Sequence, residues 1–176
     1  MTKDMFWDLI DKSGRDVGKD EMDGLSARLR RDRQMDRLLD RLRMLGPEEI
    51  VQFHCCFEEC VRDAFRWDLW AVAWIVNGGC SDDGFDYFLG WLILQGQEYY
   101  HAALADPETA ARRVKRGEFA QCGEMWSIAR RAYEARTGKE DFYEQLPKIT
   151  RTIQGKRWSE QEVGNLFPSL AKKFAL

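Results

Sequence analysis

The chain has 176 residues, 44% hydrophobic and 12% aromatic, and 30 acidic residues against 27 Lys and Arg give a net charge of −3. So much large apolar surface excludes a disordered chain, and the near balance of charge excludes a nucleic-acid binder defined by its bulk charge. No apolar run reaches the roughly 18 residues that a membrane helix needs. Five cysteines without a C-x-x-C pair argue against a disulfide framework. The opening MTKDMFWDLIDKSG carries acids inside its apolar stretch, unlike a signal peptide, so a cytoplasmic location is expected.

In chain order, Met5, Phe6, Leu9 and Ile10 fall at helical spacing, and Ser13-Gly14 is expected to stop that helix. The polar RDVGKDEMDG reads as a loop. Leu25, Leu29, Met35, Leu38, Leu39, Leu42 and Leu45 then form a single apolar stripe. Pro47, Glu48 and Glu49 open the next helix, whose buried face is Ile50, Phe53, Phe57, Val61 and Ala64. Nothing between Ala64 and Trp67 decides whether residues 47–76 are one helix or two. WDLWAVAWIV is apolar nearly all round, which marks a buried central helix, and Asn77-Gly78-Gly79 closes it with a left-handed turn.

Ser81 is expected to cap a helix carrying Phe85, Phe88, Leu89, Leu92 and Ile93, which Gly96 interrupts before QEYYHAALA. Asp106-Pro107-Glu108 repeats the start signal. Phe119, Met125, Trp126, Ile128, Ala129, Ala132 and Tyr133 suggest one further helix ending near Gly138. Ser159-x-x-Glu162 is a capping box, and Pro168 shortens whatever helix closes the chain. With no alternating strand pattern, the expectation is one all-α domain over 1–176. It is a helical bundle of about six to eight helices around the Trp-rich one, with 139–176 a more loosely attached C-terminal extension.

The densest chemistry lies in NGGCSDDGF. Asp82 and Asp86 share a helical face and together with Asp83 offer acid/base or cation-binding groups; the plainer reading has them complementing a helix N-terminus. Asp68 is a first-turn acid if a helix restarts at Trp67, and otherwise a buried carboxylate that needs an Arg partner. His54, Cys55, Cys56 and Cys60 lack the spacing of a closed zinc site, so no metal or cofactor is implied. RLRRDRQMDRLLDRLR, with seven arginines in sixteen residues, is interleaved with aspartates and reads as a solvated, ion-paired face, so nucleic acid is not the expected partner.

WDLWAVAWIVNGGCSDDGFDYFLGWLILQGQEYYHAALADPE, with FWDLID near the start and LFPSLAKKF near the end, resembles the signature of a bacterial family known as domain of unknown function 4240. The likeness covers residues 5 to 110 best. It implies the helical fold and the cytoplasmic compartment, and it carries no activity.

The expected function is therefore a non-enzymatic binding or interaction protein, regulatory or immunity-type, acting on another protein or a small ligand and not on a membrane. The 77–86 turn and its aromatic neighbours would form the recognition cleft, with Trp67, Asp68, Trp70, Asn77, Ser81, Asp82, Asp83, Asp86 and Trp91 as candidate binding residues. The alternative is a hydrolase or transferase using an Asp68/Asp82/Asp83/Asp86 carboxylate cluster with a divalent cation. No catalytic residue is identified by motif.

Overall fold

A computed structural model of the protein describes residues 1–16 and 26–175. Among them are nine α-helices: α1 (Lys3–Asp16), α2 (Ala27–Arg43), α3 (Pro47–Ala64), α4 (Trp67–Asn77), α5 (Asp82–Leu94), α6 (Gln97–Ala105), α7 (Ile128–Thr137), α8 (Val163–Leu166) and α9 (Pro168–Phe174). Short 3-10 turns lie at Pro107–Ala111, Gly123–Trp126 and Phe142–Gln145. The only strand-like feature among the described residues is an isolated bridge between Arg66 and Gln154. The domain is an all-α bundle.

The helices follow their apolar spacing. α1 buries Phe6, Trp7 and Ile10, and Phe6 meets Phe53 of α3 at 4.9 Å. It does not stop at Ser13-Gly14 as expected. The Ser13 hydroxyl donates to the Ile10 carbonyl (2.6 Å), and a side chain at Gly14 would crowd Gln34, so both residues serve the α1–α2 contact instead of ending the helix. In α2, Met35, Leu38, Leu39 and Leu42 are buried. Leu29, placed in the stripe by its spacing, is 49% exposed, because the first turn of α2 borders an open cleft and not the core. Leu25 and most of the expected RDVGKDEMDG loop lie outside the described residues.

Residues 47–76 form two helices. Phe65 and Arg66 leave the helical conformation, and the freed backbone pairs with Gln154: Trp67 N donates to Gln154 O (2.9 Å) and Gln154 N to Phe65 O (3.0 Å). α4 then runs through the middle with Leu69, Ala71, Val72, Ala73, Ile75 and Val76 buried, while Trp67, Trp70 and Trp74 are partly covered. Gly78 closes it in the left-handed conformation (φ 69°), and the Ser81 hydroxyl accepts from Gly84 N (3.1 Å) to start α5.

The α4–α5 contact is an aromatic stack. Trp67 lies flat on Trp70 (5.1 Å, 7°) and Trp70 flat on Phe85 (5.0 Å, 4°). The row continues through Phe88 and Trp91 to the edge of Tyr99. Each offset pair adds about 0.5–1.5 kcal/mol beyond its area burial.

The helix expected to begin at Phe119 begins at Ile128. Phe119 is 66% exposed, and the chain after it is held by other elements: Ala120 N donates to Asn77 Oδ1 (2.9 Å) and Cys122 N to Tyr87 O (2.8 Å). Those long-range bonds replace the helical ones. From residues 139–176, Phe142, Val163 and Leu170 enter the core, and Trp158 stands edge-on to Trp67, Trp70 and Trp74 while its indole N–H donates to Trp67 O (2.6 Å).

Gly90, in the middle of α5, faces the Cys122 backbone so closely that a Cβ would sit 2.6 Å from its carbonyl oxygen. Gly90→Ala is expected to cost about 1–3 kcal/mol through overpacking, more than Gly78→Ala, whose surroundings are open and whose cost is positive φ alone. Urea unfolding of both variants checks the order; a smaller loss at Gly90 contradicts this packing.

Candidate functional site

The expected site residues do not share one place. Trp67 and Trp70 belong to the stack under Trp158. Asp68 is a first-turn acid of α4, half exposed, paired with Arg66, whose other guanidinium nitrogen donates to Leu104 O (2.8 Å). It is thus neither buried nor without a partner. Ser81, Asp82 and Asp83 are exposed at the start of α5. Asp86, one turn on, is held by both guanidinium nitrogens of Arg151 (2.8 and 2.7 Å), and Arg151 also lies over the rings of Phe65 and Trp126. Asp68, Asp86 and the exposed Asp82–Asp83 pair therefore have separate surroundings. Among the described residues no three His, Cys, Asp or Glu side chains group so as to hold a metal ion.

The remaining two, Asn77 and Trp91, lead elsewhere. Trp91, 8% exposed, forms part of the floor of a cleft of about 460 Å³. One wall is α1, with Ile10, Asp11, Gly14 and Arg15; a second is the first half of α2, with Ala27, Arg30, Arg31 and Gln34. The third is the segment from Arg113 to Ala120, which Asn77 anchors through Ala120 N. Neither this cleft nor the depression beside it is lined by residues 77–86.

Local chemistry shapes each wall. Gly96, at φ 98°, turns the chain from α5 into α6 where a Cβ would collide with Asp11. Asp11 Oδ1 in turn accepts from Gln97 N (3.2 Å) and caps α6 from across the cleft. Gln34 donates to Leu94 O (2.9 Å), closing the floor. Arg113 stacks on Tyr99 (4.3 Å) and donates to Gln95 O (3.0 Å), while Arg31 donates to Gln121 O (2.6 Å). These two cations are fixed in place.

The cleft is electrostatically lopsided. Among the described residues, Arg15, Arg30, Arg31, Arg113 and Lys115 line it, against Asp11 and Glu118. Both carboxylates already accept backbone N–H bonds, Asp11 from Gln97 and Glu118 from Lys115 (3.4 Å). Neither Arg15 nor Lys115 forms an ion pair among the described residues. Trp91, Ile10, Leu94 and Phe119 supply apolar surface between the charges. This arrangement suits an anionic group attached to an apolar body. Its sequence signal is Arg112-Arg113-Val114-Lys115-Arg116, four cations in five positions ahead of Gly117.

The thiols have no such reach. Burial pushes Cys60, Cys80 and Cys122 up to about 12, and Cys55 and Cys56 are raised by the same cause. Thiolate, the nucleophilic form, is suppressed at neutral pH. His54 is buried beside Phe57 and Phe142, with Nδ1 lacking a hydrogen-bond partner among the described residues.

The family described as protein of unknown function (DUF4240) has a model that matches residues 1–135, and the chain belongs to that family. No curated protein and no solved structure matches it. No helix among the described residues is long and apolar enough to cross a membrane.

Two outcomes follow. Asp86→Asn and Arg151→Gln, alone and combined, should give a coupling energy of about 1–3 kcal/mol in urea unfolding; additive losses contradict a structural clamp. The raised thiols retain protons in the native state that the unfolded chain, with thiols near 9, releases. Their contribution is complete below pH 9 and fades as pH rises toward about 12. Urea midpoints should fall between pH 8 and pH 10, and fall less in Cys60→Ala.

Proposed function

We propose that this member of the DUF4240 family is a non-enzymatic interaction protein that captures an acidic segment of a partner protein in the cleft between α1, α2 and the 113–120 segment. It acts by occupancy, as a regulatory or immunity-type protein does. One observation carries the reading: among the described residues, five cations line an apolar-floored cleft whose two carboxylates are already engaged by backbone. Focused positive potential in a concave surface raises both the local concentration and the capture rate of an anionic ligand. Trp91 and Phe119 provide what a bare phosphate would not use and an acidic peptide with apolar side chains would. Five unpaired cysteines support a reducing, cytoplasmic setting.

The candidate turn at 77–86 enters this proposal through Asn77, which braces the cleft wall, and not as the contact surface itself. A helix face of interleaved Arg and Asp, with an acidic chain overall, favours a protein partner over nucleic acid.

Fluorescence anisotropy with a labelled peptide of alternating glutamate and leucine tests the proposal. It should bind, weaken as salt rises, and lose about tenfold or more in affinity in the Arg15→Glu, Lys115→Glu double variant, with the thermal melt not lowered. Equal binding of a lysine-leucine peptide, or tighter binding of single-stranded DNA, overturns it.

A further inference from the structure

We infer that the partner segment continues from the cleft across Arg31 and lays a cationic side chain, a few residues from its carboxylates, on a ledge made by Tyr87 and Gly123. The inference rests on the cleft reading and specifies the partner's charge pattern. A second depression of about 480 Å³ adjoins the cleft, lined by Arg31, Tyr87, Gln121, Gly123, Glu124 and Ser127. Arg31 lines both depressions and so stands where they meet. That ridge is fixed: Arg31 donates to Gln121 O (2.6 Å), and its charge is offset by Asp32, 3.8 Å from Nε. One continuous chain, advancing about 3.3 Å per residue when extended, can occupy both sides of such a ridge; two separate small ligands would leave it unused.

The two depressions differ in charge. Where the cleft is cationic, the ledge presents an exposed ring with Glu124 beside it and Arg31 at its border with the cleft. Tyr87 is 42% exposed, and its ring lies against Gly123 closely enough that a Cβ there would be 3.2 Å from it. Glycine thus leaves room for the ring against the backbone. Glu124 lines the same depression and is exposed, and Asp83, also exposed, precedes Tyr87 by one helical turn on the same face of α5. An aromatic face flanked by carboxylates receives a Lys or Arg, whose charge pairs with the acids while its stem covers the ring. The occupant is therefore a segment with acidic residues at one end and a basic residue at the other.

The test uses labelled peptides of three glutamates, a glycine-serine spacer of two to five residues, and a terminal Arg or Gln. At the best spacer the Arg peptide should bind about three- to fivefold tighter than its Gln counterpart. Tyr87→Ser, and separately Glu124→Gln, should shrink that difference while leaving the Gln peptide's affinity unchanged. Equal affinities at every spacer, or a difference that survives both substitutions, overturns the inference and leaves the cleft reading intact. Binding by none of the peptides overturns both.

Discussion

The molecule is organised by the face-to-face contact of Trp70 with Phe85. It ties the last helix of the first half, α4, to the first helix of the second, α5, across a turn of only four residues. With rings 5.0 Å apart and 4° from parallel, the two helices have little freedom to slide. Everything beyond that turn inherits its position: Phe88 and Trp91 extend the row along α5, Tyr99 meets Trp91 edge-on from α6, and Arg113 covers Tyr99. The same row thus begins under Trp158 and ends at the cleft. A small rotation of α5 would move the floor and a cation of the cleft together.

The C-terminal segment secures the other end. Gln154 satisfies the backbone where α3 and α4 part, Trp158 covers the outer tryptophan face, and Arg151 takes both oxygens of Asp86 while packing on Phe65 and Trp126. The family match ends at residue 135, yet these three residues occupy contacts made by residues inside it. A pair with side-chain exposures of 28% and 22% is screened less than a surface ion pair, and its bidentate geometry ranks it among the stronger ones. Asp86, conspicuous in the sequence as one of three clustered acids, is accounted for by this clamp.

What could be read from sequence alone was whatever depends on near neighbours. Helical spacing located the core of α2, α3, α5 and α7, Gly78 and Ser81 marked the two sides of the α4–α5 turn, and the tryptophan-rich run was recognisable as central. Two misplaced boundaries, and the break between α3 and α4 that the sequence left open, share a cause. Gly14, Phe65–Arg66 and the stretch after Phe119 each took their conformation from a partner far along the chain: Gln34, Gln154, and Asn77 with Tyr87. Periodicity is blind to such partners. A cleft is harder still to foresee, because it forms where elements fail to meet, and its lining is drawn from four separated stretches. Of the nine candidate site residues only Trp91 lines it, and Asn77 supports it from behind.

The distribution of charge explains why the cleft is basic on an acidic chain. On α2, aspartates 32, 36 and 40 stand among seven arginines, so the helix keeps an excess of positive charge that its own acids only partly offset. In the 112–116 turn four cations follow one another without an acid between them, and the turn is pinned beside the first half of α2 by bonds from Ala120 and Cys122. Two basic surfaces that would repel in water are thereby held on opposite walls of one hollow. Arg31 and Arg113 tolerate this because backbone carbonyls and the Tyr99 ring face their guanidinium groups; Arg15 and Lys115 have no ion-pair partner among the described residues. Like charges held around one hollow in the folded state cost stability, and an anion entering the cleft relieves that cost. The fold therefore stores, in the position of a few cations, part of the free energy that would appear as affinity.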